Sequence, residues 1–441
     1  LVQRFVGEAQ KGTYVGIIRL WALMMAILVQ SLMGMLSDRS THRWGRRRPF
    51  ILAGTLALVA VLILIGLTTG MEGMAGYWVL FALYILSMLA SDTAHAATQG
   101  LIPDLVPEEK RGLASGVKAI LELPLPLLFV SFVVAGMVAA GNLWAALTSL
   151  ILVLLVCMAI TMFVREKPLK EVHAAFDWQP ILRLLAMVSA FTAIILVSGE
   201  VVKRTVSFAL GLPGPASSAL IVAVGVLGMA VAVALGVWLS VRISLGQEVH
   251  KSPSFRWWVI TRLAFLVPII NLAGFVLFFL QERFRGLEGE KAAGPAGMAV
   301  MFVGVFVLLT AVPAGWLADR VGKKNLILLA CLLAAGGTFL LLAVPTIPAL
   351  YAGACIIGGA AGLFYTVNWA LGTELVPPEE AGRYLGLSNL AGAGAGAIGA
   401  YIGGPIADQV GYVMLFAIYG LLFLLAAATL LPIQEPVRAR T

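Results

Sequence analysis

One long apolar stretch holds three polar side chains, two of which, an aspartate and a histidine, could bind and release a proton. Asp92, His95 and Gln99 are spaced at i, i+3 and i+7, so in a helix they share one face. An imidazole titrates near neutral pH, and a carboxylate beside it could exchange a proton with it. A lone histidine in an apolar stretch also serves as a helix–helix contact, so both interpretations stay open.

The composition places these side chains in a membrane. The chain has 441 residues, 61% hydrophobic and only 12% charged, and its mean hydropathy is +0.98. A soluble protein of this length needs more polar surface, so the class is a polytopic membrane protein. The net charge of +8 comes from short basic loops, which argues against nucleic-acid binding. The three cysteines lie in apolar runs and predict no disulfide, metal or redox site, and we expect no cofactor.

Counting apolar segments gives the elements that must position these residues. A bilayer core needs about 20 predominantly apolar residues per helix, and Gly and Pro are tolerated there. This criterion predicts thirteen spans, at about 12–36, 50–69, 77–102, 113–138, 143–164, 181–199, 217–241, 257–280, 294–317, 325–344, 348–372, 384–407 and 411–431. The fold class is therefore an all-α polytopic membrane protein.

Basic loops orient the helices. The stretch "GMLSDRSTHRWGRRRPFI" (34–51) holds one aspartate and six Arg or His side chains, whereas the loops on the opposite side, such as 70–76 and 408–410, lack Lys and Arg. The positive-inside rule makes 34–51 cytoplasmic, with the C-terminus inside and the N-terminus outside. The opening "LVQRFVGEAQKG" is too short to span a bilayer and does not resemble a signal peptide. The odd number of spans is what we expect of an even-span protein truncated at its N-terminus.

Charged and amide side chains within spans are candidate binding residues because burying them in lipid is costly. Arg19 precedes Gly34 by 15 residues, about 22 Å of helix, and Asp92 precedes Asp104 by 12 residues, about 18 Å. At this similar depth we expect an Arg19–Asp92 ion pair, which would serve equally well as structural tie or as part of a binding site. Further polar positions within spans are Gln30, Arg262, Asn271 and Asn389, of which we expect Arg262 to snorkel towards the cytoplasmic surface.

Two motifs occur twice, in the same order and on the same side of the membrane. "GMLSDR" (34–39) matches "GWLADR" (315–320), and "PDLVPEEKRGLASG" (103–116) matches "TELVPPEEAGRYLG" (373–386). Each half of the chain therefore repeats one plan. Parallel halves around a site near the bilayer midplane are a transporter architecture.

The pattern "GxLxDRxGKK" after one span, repeated in the second half, resembles the major facilitator superfamily over nearly the whole chain. The longer first copy, "DRSTHRWGRRRPF", resembles the sucrose transporters and the wider sugar–cation symporters. Two features depart from that family: its first helix is absent or reduced to "LVQRFV", and 181–199 and 217–241 look like two extra helices, because 255–280 resembles the family's seventh helix. We therefore predict an N-terminal half (1–165), a central linker (166–254) and a C-terminal half (255–441).

The resemblance implies a cytoplasmic gate in which each motif aspartate latches against a helix of the other half. Asp38 would face the helix that begins near Gly382, and Asp319 the helix that begins near Gly112; a helix N-terminus attracts a carboxylate by about 0.3–1 kcal/mol. Gly34 and Gly315 would permit close helix approach. Arg43 and Arg47 are assigned mainly to topology. The predicted gate residues are Gly34, Asp38, Arg39, Gly45, Arg46, Arg48, Asp104, Arg111, Gly315, Asp319, Arg320, Gly322, Lys323, Glu374 and Arg383.

The resemblance also implies a central pocket of mixed polar and aromatic character. The predicted solute- or ion-binding residues are Arg19, Gln30, Asp92, His95, Gln99, Asn271, Tyr365, Asn368 and Trp369. Such groups suit a sugar, whose ring has apolar faces and polar edges, but also drugs, nucleosides or organic acids. We expect a non-enzymatic, monomeric secondary transporter of the plasma membrane, moving a small solute with protons or cations. An exporter of amphipathic compounds and a pigment-delivery type of assembly factor stay open as alternatives.

Overall fold

A computed structural model describes the whole chain except residues 108–109, 111–113, 115–116, 119–120, 122–123, 167–177, 213–214, 246–252, 344–345, 376–380 and 435–441. Within the described part, every regular element is helical. This agrees with the all-α prediction, and its cause is that a helix satisfies all its backbone hydrogen bonds internally, as lipid requires.

The helices follow the predicted spans closely. They are α1 Val2–Val6, α2 Lys11–Asp38, α3 Arg48–Leu67, α4 Gly73–Gln99, α5 Leu101–Leu105, α6 Pro124–Phe129, α7 Ala135–Ala139, α8 Leu143–Met162, α9 Gln179–Ala209, α10 Pro215–Leu245, α11 Pro253–Arg283, α12 Ala293–Val321, α13 Lys323–Ala343, α14 Ile347–Leu375, α15 Ala381–Val410 and α16 Tyr412–Ala428. A π-helical turn, Val130–Val134, joins α6 to α7. Ten segments of the described chain are long and apolar enough to cross a membrane.

One predicted span was too short. The span predicted at 181–199 is the 31-residue helix α9, so Glu200, Lys203 and Arg204 lie within a helix and not in a loop. Arg204 donates to Glu200 from one turn further along, at 2.7 Å. This i,i+4 pair stabilises the helix through a charged segment. Counting apolar residues ended the predicted span at that segment because it registers the charges and not their pairing.

The residues group into two compact units. The first comprises residues 1–8 and 21–188. In it α3 packs closely on α4, because Gly54 of α3 lies against the backbone of Ala90; a Cβ at Gly54 would be 2.7 Å from the Ala90 carbonyl oxygen. Phe5 of α1 is buried and lies against Gly76 of α4 in the same way. Small residues thus bring these helices together, as in other membrane bundles.

The second unit comprises residues 9–20 and 189–441. Its centre is α11, which packs on α15 and α16, while α12 and α13 both pack on α14. Aromatic side chains fill this core: Phe265 stacks on Phe364 with ring centroids 3.7 Å apart, and Phe279 on Phe416 at 4.4 Å. Such ring pairs contribute about 0.5–1.5 kcal/mol beyond their buried area.

Helix α2 contributes to both units. Its first turns pack on α15 in the second unit, where Gly12 lies against Gly404; a Cβ at Gly12 would be 2.7 Å from the Gly404 carbonyl oxygen. Its remaining turns, from Trp21, belong to the first unit. The division into 1–165, 166–254 and 255–441 stays a prediction.

Candidate functional site

A cluster of charged side chains in the first unit links Asp38, the aspartate of the repeated motif, to Asp104 through Arg47. Arg47 is 5% exposed and forms ion pairs with both Asp38 and Asp104. Its Nε donates to Asp104 at 3.0 Å and its Nη1 donates to Ser37 at 2.7 Å. Arg46 also donates to Asp104, at 3.1 Å from its Nε. The guanidinium of Arg47 therefore has an acceptor on each edge, as buried arginine requires.

A third carboxylate, from the segment after α8, lies at the start of α3. Glu166 accepts from the backbone N–H groups of Arg47, at 3.0 Å, and Arg48, at 3.2 Å. A carboxylate at a helix N-terminus satisfies amides that have no partner within the helix. Gly45, with φ +107, makes the turn that aims those amides at Glu166. The side chain of Arg48 donates to the carbonyl of Met162.

Assigning Arg47 mainly to topology was wrong, since it is the residue that connects the cluster. Gly100 follows α4 directly, and the absence of a side chain there leaves room for the Arg47 guanidinium. The predicted close approach at the motif glycines stays a prediction. A Cβ at Gly34 would meet no described atom within 4 Å, and one at Gly315 would meet only the Thr366 methyl, at 3.8 Å.

The second unit repeats this cluster in reduced form. Lys323, 7% exposed, forms an ion pair with Glu374, so the second acid pairs with a lysine and not with an arginine. Arg320 lies over the ring of Trp316, 3.9 Å from its centroid. Gly322, with φ +93, separates α12 from α13. Arg111 and the side chains of Asp319 and Arg383 lie outside the described residues, so the latches of Asp38 and Asp319 stay predictions.

Within the membrane part of the first unit, α4 carries Asp92, His95 and Gln99. Oδ2 of Asp92 is buried and has no hydrogen-bond partner among the described residues. Nε2 of His95 lies 2.9 Å from Nε2 of Gln99, whose amide oxygen accepts from Lys118. In this arrangement the Gln99 amide donates to an imidazole nitrogen that carries no proton.

In the second unit, α11 and α14 bring together a polar and aromatic group. Nη1 of Arg262 donates to Oδ1 of Asn368 at 3.1 Å, and Nε1 of Trp258 donates to the Asn368 carbonyl at 2.9 Å. The guanidinium lies 5.3 Å from the ring centroid of Trp369. Arg262 therefore turns into the protein, and the expectation that it snorkels was wrong. Tyr365 interacts electrostatically with it.

The remaining predicted binding residues lie apart from this group. Asn271 is fully buried and donates to the carbonyls of Val267, at 2.8 Å, and Ala395, at 3.4 Å, so it ties α11 to α15. Arg19 lies in the second unit, 5.9 Å from the Phe275 ring, and Gln30 is exposed in the first. Because Arg19 and Asp92 belong to different units, their ion pair stays a prediction.

The start of α2 forms a contact that the sequence did not indicate. Both oxygens of Asp408 accept from backbone N–H groups, of Gly12 and Thr13, at 2.7 Å each. Lys11 lies 4.9 Å from the Phe278 ring and donates to Gln281 at 3.2 Å. Among the described residues, no group of three or more His, Cys, Asp or Glu side chains is placed to hold a metal ion.

Comparison with known proteins decides what this arrangement belongs to. The family model described as Major Facilitator Superfamily matches residues 8–286 and 290–441. The chain belongs to the major facilitator superfamily. The resemblance drawn from the repeated "DR" motifs is thereby confirmed, and the chain is an integral membrane protein of a transporter family. The match to the sugar–cation group is not part of this finding.

Solved structures show the major facilitator fold. The nucleoside transporter NupG is similar with a TM-score of 0.62 and 12% identity, over 96% of this chain and 91% of that one. The inward-open xylose transporter XylE from E. coli has a TM-score of 0.62 and 17% identity, over 100% and 91% of the two chains. A mutant peptide transporter of the POT family has a TM-score of 0.64 and 15% identity, over 96% and 86%.

One curated relative is matched over a short segment. The lactose permease of Lactobacillus helveticus is 31% identical over 100 residues, which is 21% of this chain and 15% of the permease. The match therefore spans a small part of that protein's length, and it carries no residue roles to this major facilitator chain.

Proposed function

We propose that this chain is a secondary active transporter that couples the movement of a small solute to protons. The observation that supports this most is the carboxylate of Asp92, which lies in a membrane helix with one buried oxygen that no described residue contacts by a hydrogen bond. Ionisable groups within a membrane protein are costly, and those in transporters commonly mark proton or ion routes. Asp92 is thus the first residue to test for coupling.

His95 and Gln99 give this carboxylate a second proton site one turn away. In the described arrangement His95 accepts from Gln99, and Gln99 in turn accepts from Lys118. A proton on Nε2 of His95 would face the Gln99 N–H group and break that contact. Protonation would therefore rearrange this face of α4, which is the kind of change that a coupled transporter uses to favour one state over another.

The charged clusters support alternating access as the mechanism. Each unit has a lysine or arginine buried against acids where two helices end, Arg47 in the first and Lys323 in the second. Asp38 retains 54% of its side-chain exposure, so it has room for a further partner. We propose that these clusters hold the cytoplasmic side closed in one state and separate in the other, with the C-terminus cytoplasmic and the plasma membrane as the location.

A sugar or a close derivative is the solute class to test first. The long "DRSTHRWGRRRPF" loop resembles that of sugar–cation symporters, and the matched segment of a lactose permease points in the same direction. Aromatic faces at Trp369 and Tyr365 beside the Asn368 amide suit a ring with apolar faces and polar edges. We propose that the transporter acts as a monomer, with export of amphipathic compounds and pigment delivery as the alternatives.

The test is proton movement in proteoliposomes. Full-length protein is reconstituted, internal pH is followed with a trapped dye, and a panel of sugars and sugar derivatives is added outside. We expect a solute-dependent change in internal pH that disappears in Asp92→Asn. Glu200→Gln is the matched control, because Glu200 is an exposed helical acid already paired with Arg204.

One result would exclude the role of Asp92, and another would contradict the transport function. A pH response that survives Asp92→Asn would retain coupled transport but exclude Asp92 as the coupling carboxylate. No response to any solute, from protein shown to be folded and inserted, would contradict proton-coupled transport of this class and favour the alternatives.

A further inference from the structure

The side chains around Arg262 form a cationic group that has no acid of its own. Arg262 lies nine residues into α11, about 14 Å from its start, and Asn368 lies seven residues before the end of α14, about 10 Å. No carboxylate among the described residues pairs with Arg262; its electrostatic neighbour is the phenol of Tyr365. An intramembrane arginine normally has such a partner, because its charge is costly there.

Two N–H donors of this group have no hydrogen-bond partner among the described residues. Arg262 uses Nη1 on Asn368, and its buried Nε has no partner among the described residues. Asn368 is fully buried, and its Nδ2 likewise has no partner there. Both are N–H donors, so the missing partner is an acceptor. A buried donor left without an acceptor destabilises the protein, and more so when it is charged.

The protein holds these donors in place. The Trp258 indole is fully buried, donates to the Asn368 carbonyl and lies against Gly372, whose lack of a side chain makes room for it. Trp258 and Trp369 both lie within 6 Å of the guanidinium, at 5.9 Å and 5.3 Å. Aromatic faces fix a guanidinium and compensate part of its charge, but they accept no strong hydrogen bond.

Two aromatic side chains of the group are partly exposed. Trp369 keeps 39% of its surface exposed and Tyr365 keeps 36%, whereas Trp258 and Asn368 are fully buried. A ligand that enters past Trp369 and Tyr365 would meet aromatic surface first and the two N–H donors behind it. In the same unit the buried Lys323 pairs with an acid, Glu374, and Arg262 differs from it in having no carboxylate partner among the described residues.

We propose that Arg262 and Asn368 bind the carboxylate of the transported solute, with Trp369 and Tyr365 against its ring. The Nε edge of Arg262 and Nδ2 of Asn368 would each donate to the carboxylate. A single guanidinium balances a monoanion and leaves a phosphate dianion half compensated, so the structure favours a carboxylate. The proposal deepens and rests on the proposed transport function: the solute is a sugar acid or a similar ring carboxylate, and not the neutral sugar.

The test compares matched acids and neutral compounds in two assays. Thermal stabilisation of the detergent-solubilised full chain is measured with galacturonate against galactose, and with phenylacetate against 2-phenylethanol; uptake of the same compounds is measured in proteoliposomes. We expect at least one acid to bind and enter roughly tenfold better than its neutral partner, the ratio that corresponds to one charge-assisted contact of about 1.4 kcal/mol.

Three variants localise the effect. Arg262→Gln should remove the preference for the acid, and Arg262→Lys should restore only part of it because lysine lacks the planar fork. Asn368→Asp places a carboxylate against Arg262 and should occupy the site from within, so acid binding falls although the charge of Arg262 is kept. Arg283→Gln, at the other end of the same helix, is the matched control and should leave the preference unchanged.

The outcomes separate this inference from the transport function. Uptake without a preference for acids, or a preference that survives both Arg262→Gln and Asn368→Asp, would overturn the carboxylate site and leave transport intact. Acid binding that depends on Arg262 but without uptake would support the site and contradict transport. Stabilisation by neither acid in the folded full chain would overturn the proposed ring-carboxylate class.

Discussion

Two arginines that turn into the protein show two ways of handling a charge. Arg47, in the first unit, contacts Asp38, Asp104 and the Ser37 hydroxyl, and it is almost completely buried. Arg262, in the second unit, contacts one amide oxygen and two indole faces, and no described carboxylate pairs with it. A glycine makes room at each site: Gly100 for the Arg47 guanidinium, and Gly372 for Trp258, the indole beside Arg262.

A structural charge and a functional one differ in how completely their hydrogen bonds are satisfied. A cation with a complete set of acceptors has no capacity for a ligand, and removing it leaves its acids uncompensated. A cation that lacks an acceptor on one edge is costly in the empty protein and gains most when an anion arrives. The comparison therefore predicts opposite effects on stability for the same substitution at the two sites.

Replacing Arg47 should have the largest effect. Arg47→Met leaves Asp104 and Asp38 without their shared cation, and breaking a buried ion pair from one side costs about 3–5 kcal/mol. We expect a marked fall in the thermal unfolding temperature of the detergent-solubilised protein. Arg43→Met, in the same loop but on an exposed residue, is the matched control and should change little. An unaltered unfolding temperature in Arg47→Met would show that the cluster does not hold the first unit together.

Replacing Arg262 in the same way should have the opposite sign. Arg262→Met removes a half-buried charge without stranding an acid, so stability should be unchanged or higher, by up to about 1–2 kcal/mol. Binding of carboxylates should be lost in the same protein. A fall in unfolding temperature as large as that of Arg47→Met would mean that Arg262 is a structural tie and would remove the contrast between the two sites.

These two sites also mark what the sequence could and could not predict. The helices were predictable because lipid requires about 20 apolar residues per span, and each predicted span overlaps a described helix. The acids of the second repeated motif were predictable because the repeat selects Asp104 and Glu374 at equivalent positions, and both do pair with basic residues of their own unit. Local spacing and duplication carried both predictions.

What failed depended on neighbours far away in the chain. Arg47 and Arg46 are adjacent in an arginine run, and only the packing of Gly100 shows which of them is buried. Arg262 was expected to reach towards water because its helix starts nearby, but Asn368 and Trp369, about a hundred residues later, hold it inside. Pairing across such distances leaves no periodicity in the sequence, so hydropathy alone could not reveal it.

The carboxylate of Asp408 is compensated in a third way, by backbone N–H groups instead of a side-chain cation. Asp408 accepts from the N–H groups of Gly12 and Thr13 at the start of α2. Asp408→Ala should cost about 0.5–2 kcal/mol, as for the loss of other helix caps. Gln409→Ala, one residue further on, is the control, because Gln409 accepts a hydrogen bond of 3.2 Å from the exposed hydroxyl of Ser207. Equal unfolding temperatures of the two variants would show that the contact with α2 does not need the carboxylate.

The smallest effect is expected at Arg320, which has the same cation–aromatic contact as Arg262 but in an exposed position. It lies 3.9 Å from the Trp316 ring centroid, and Trp316 is 60% exposed, so the contact is worth only about 0.5–1 kcal/mol. Arg320→Gln should therefore leave both the unfolding temperature and the binding of carboxylates nearly unchanged.

That near-neutrality makes Arg320 a clean test of the predicted gate. Because little stability is at stake, a fall in transport rate with unchanged carboxylate binding would report on the movement between states and not on folding or on the solute site. Lost carboxylate binding in Arg320→Gln would contradict the contrast between Arg320 and Arg262. It would mean that the exposed Arg320–Trp316 contact contributes to ligand binding as much as the Arg262–Trp369 contact does. Charge burial and a missing acceptor, and not the aromatic contact alone, are what distinguish Arg262.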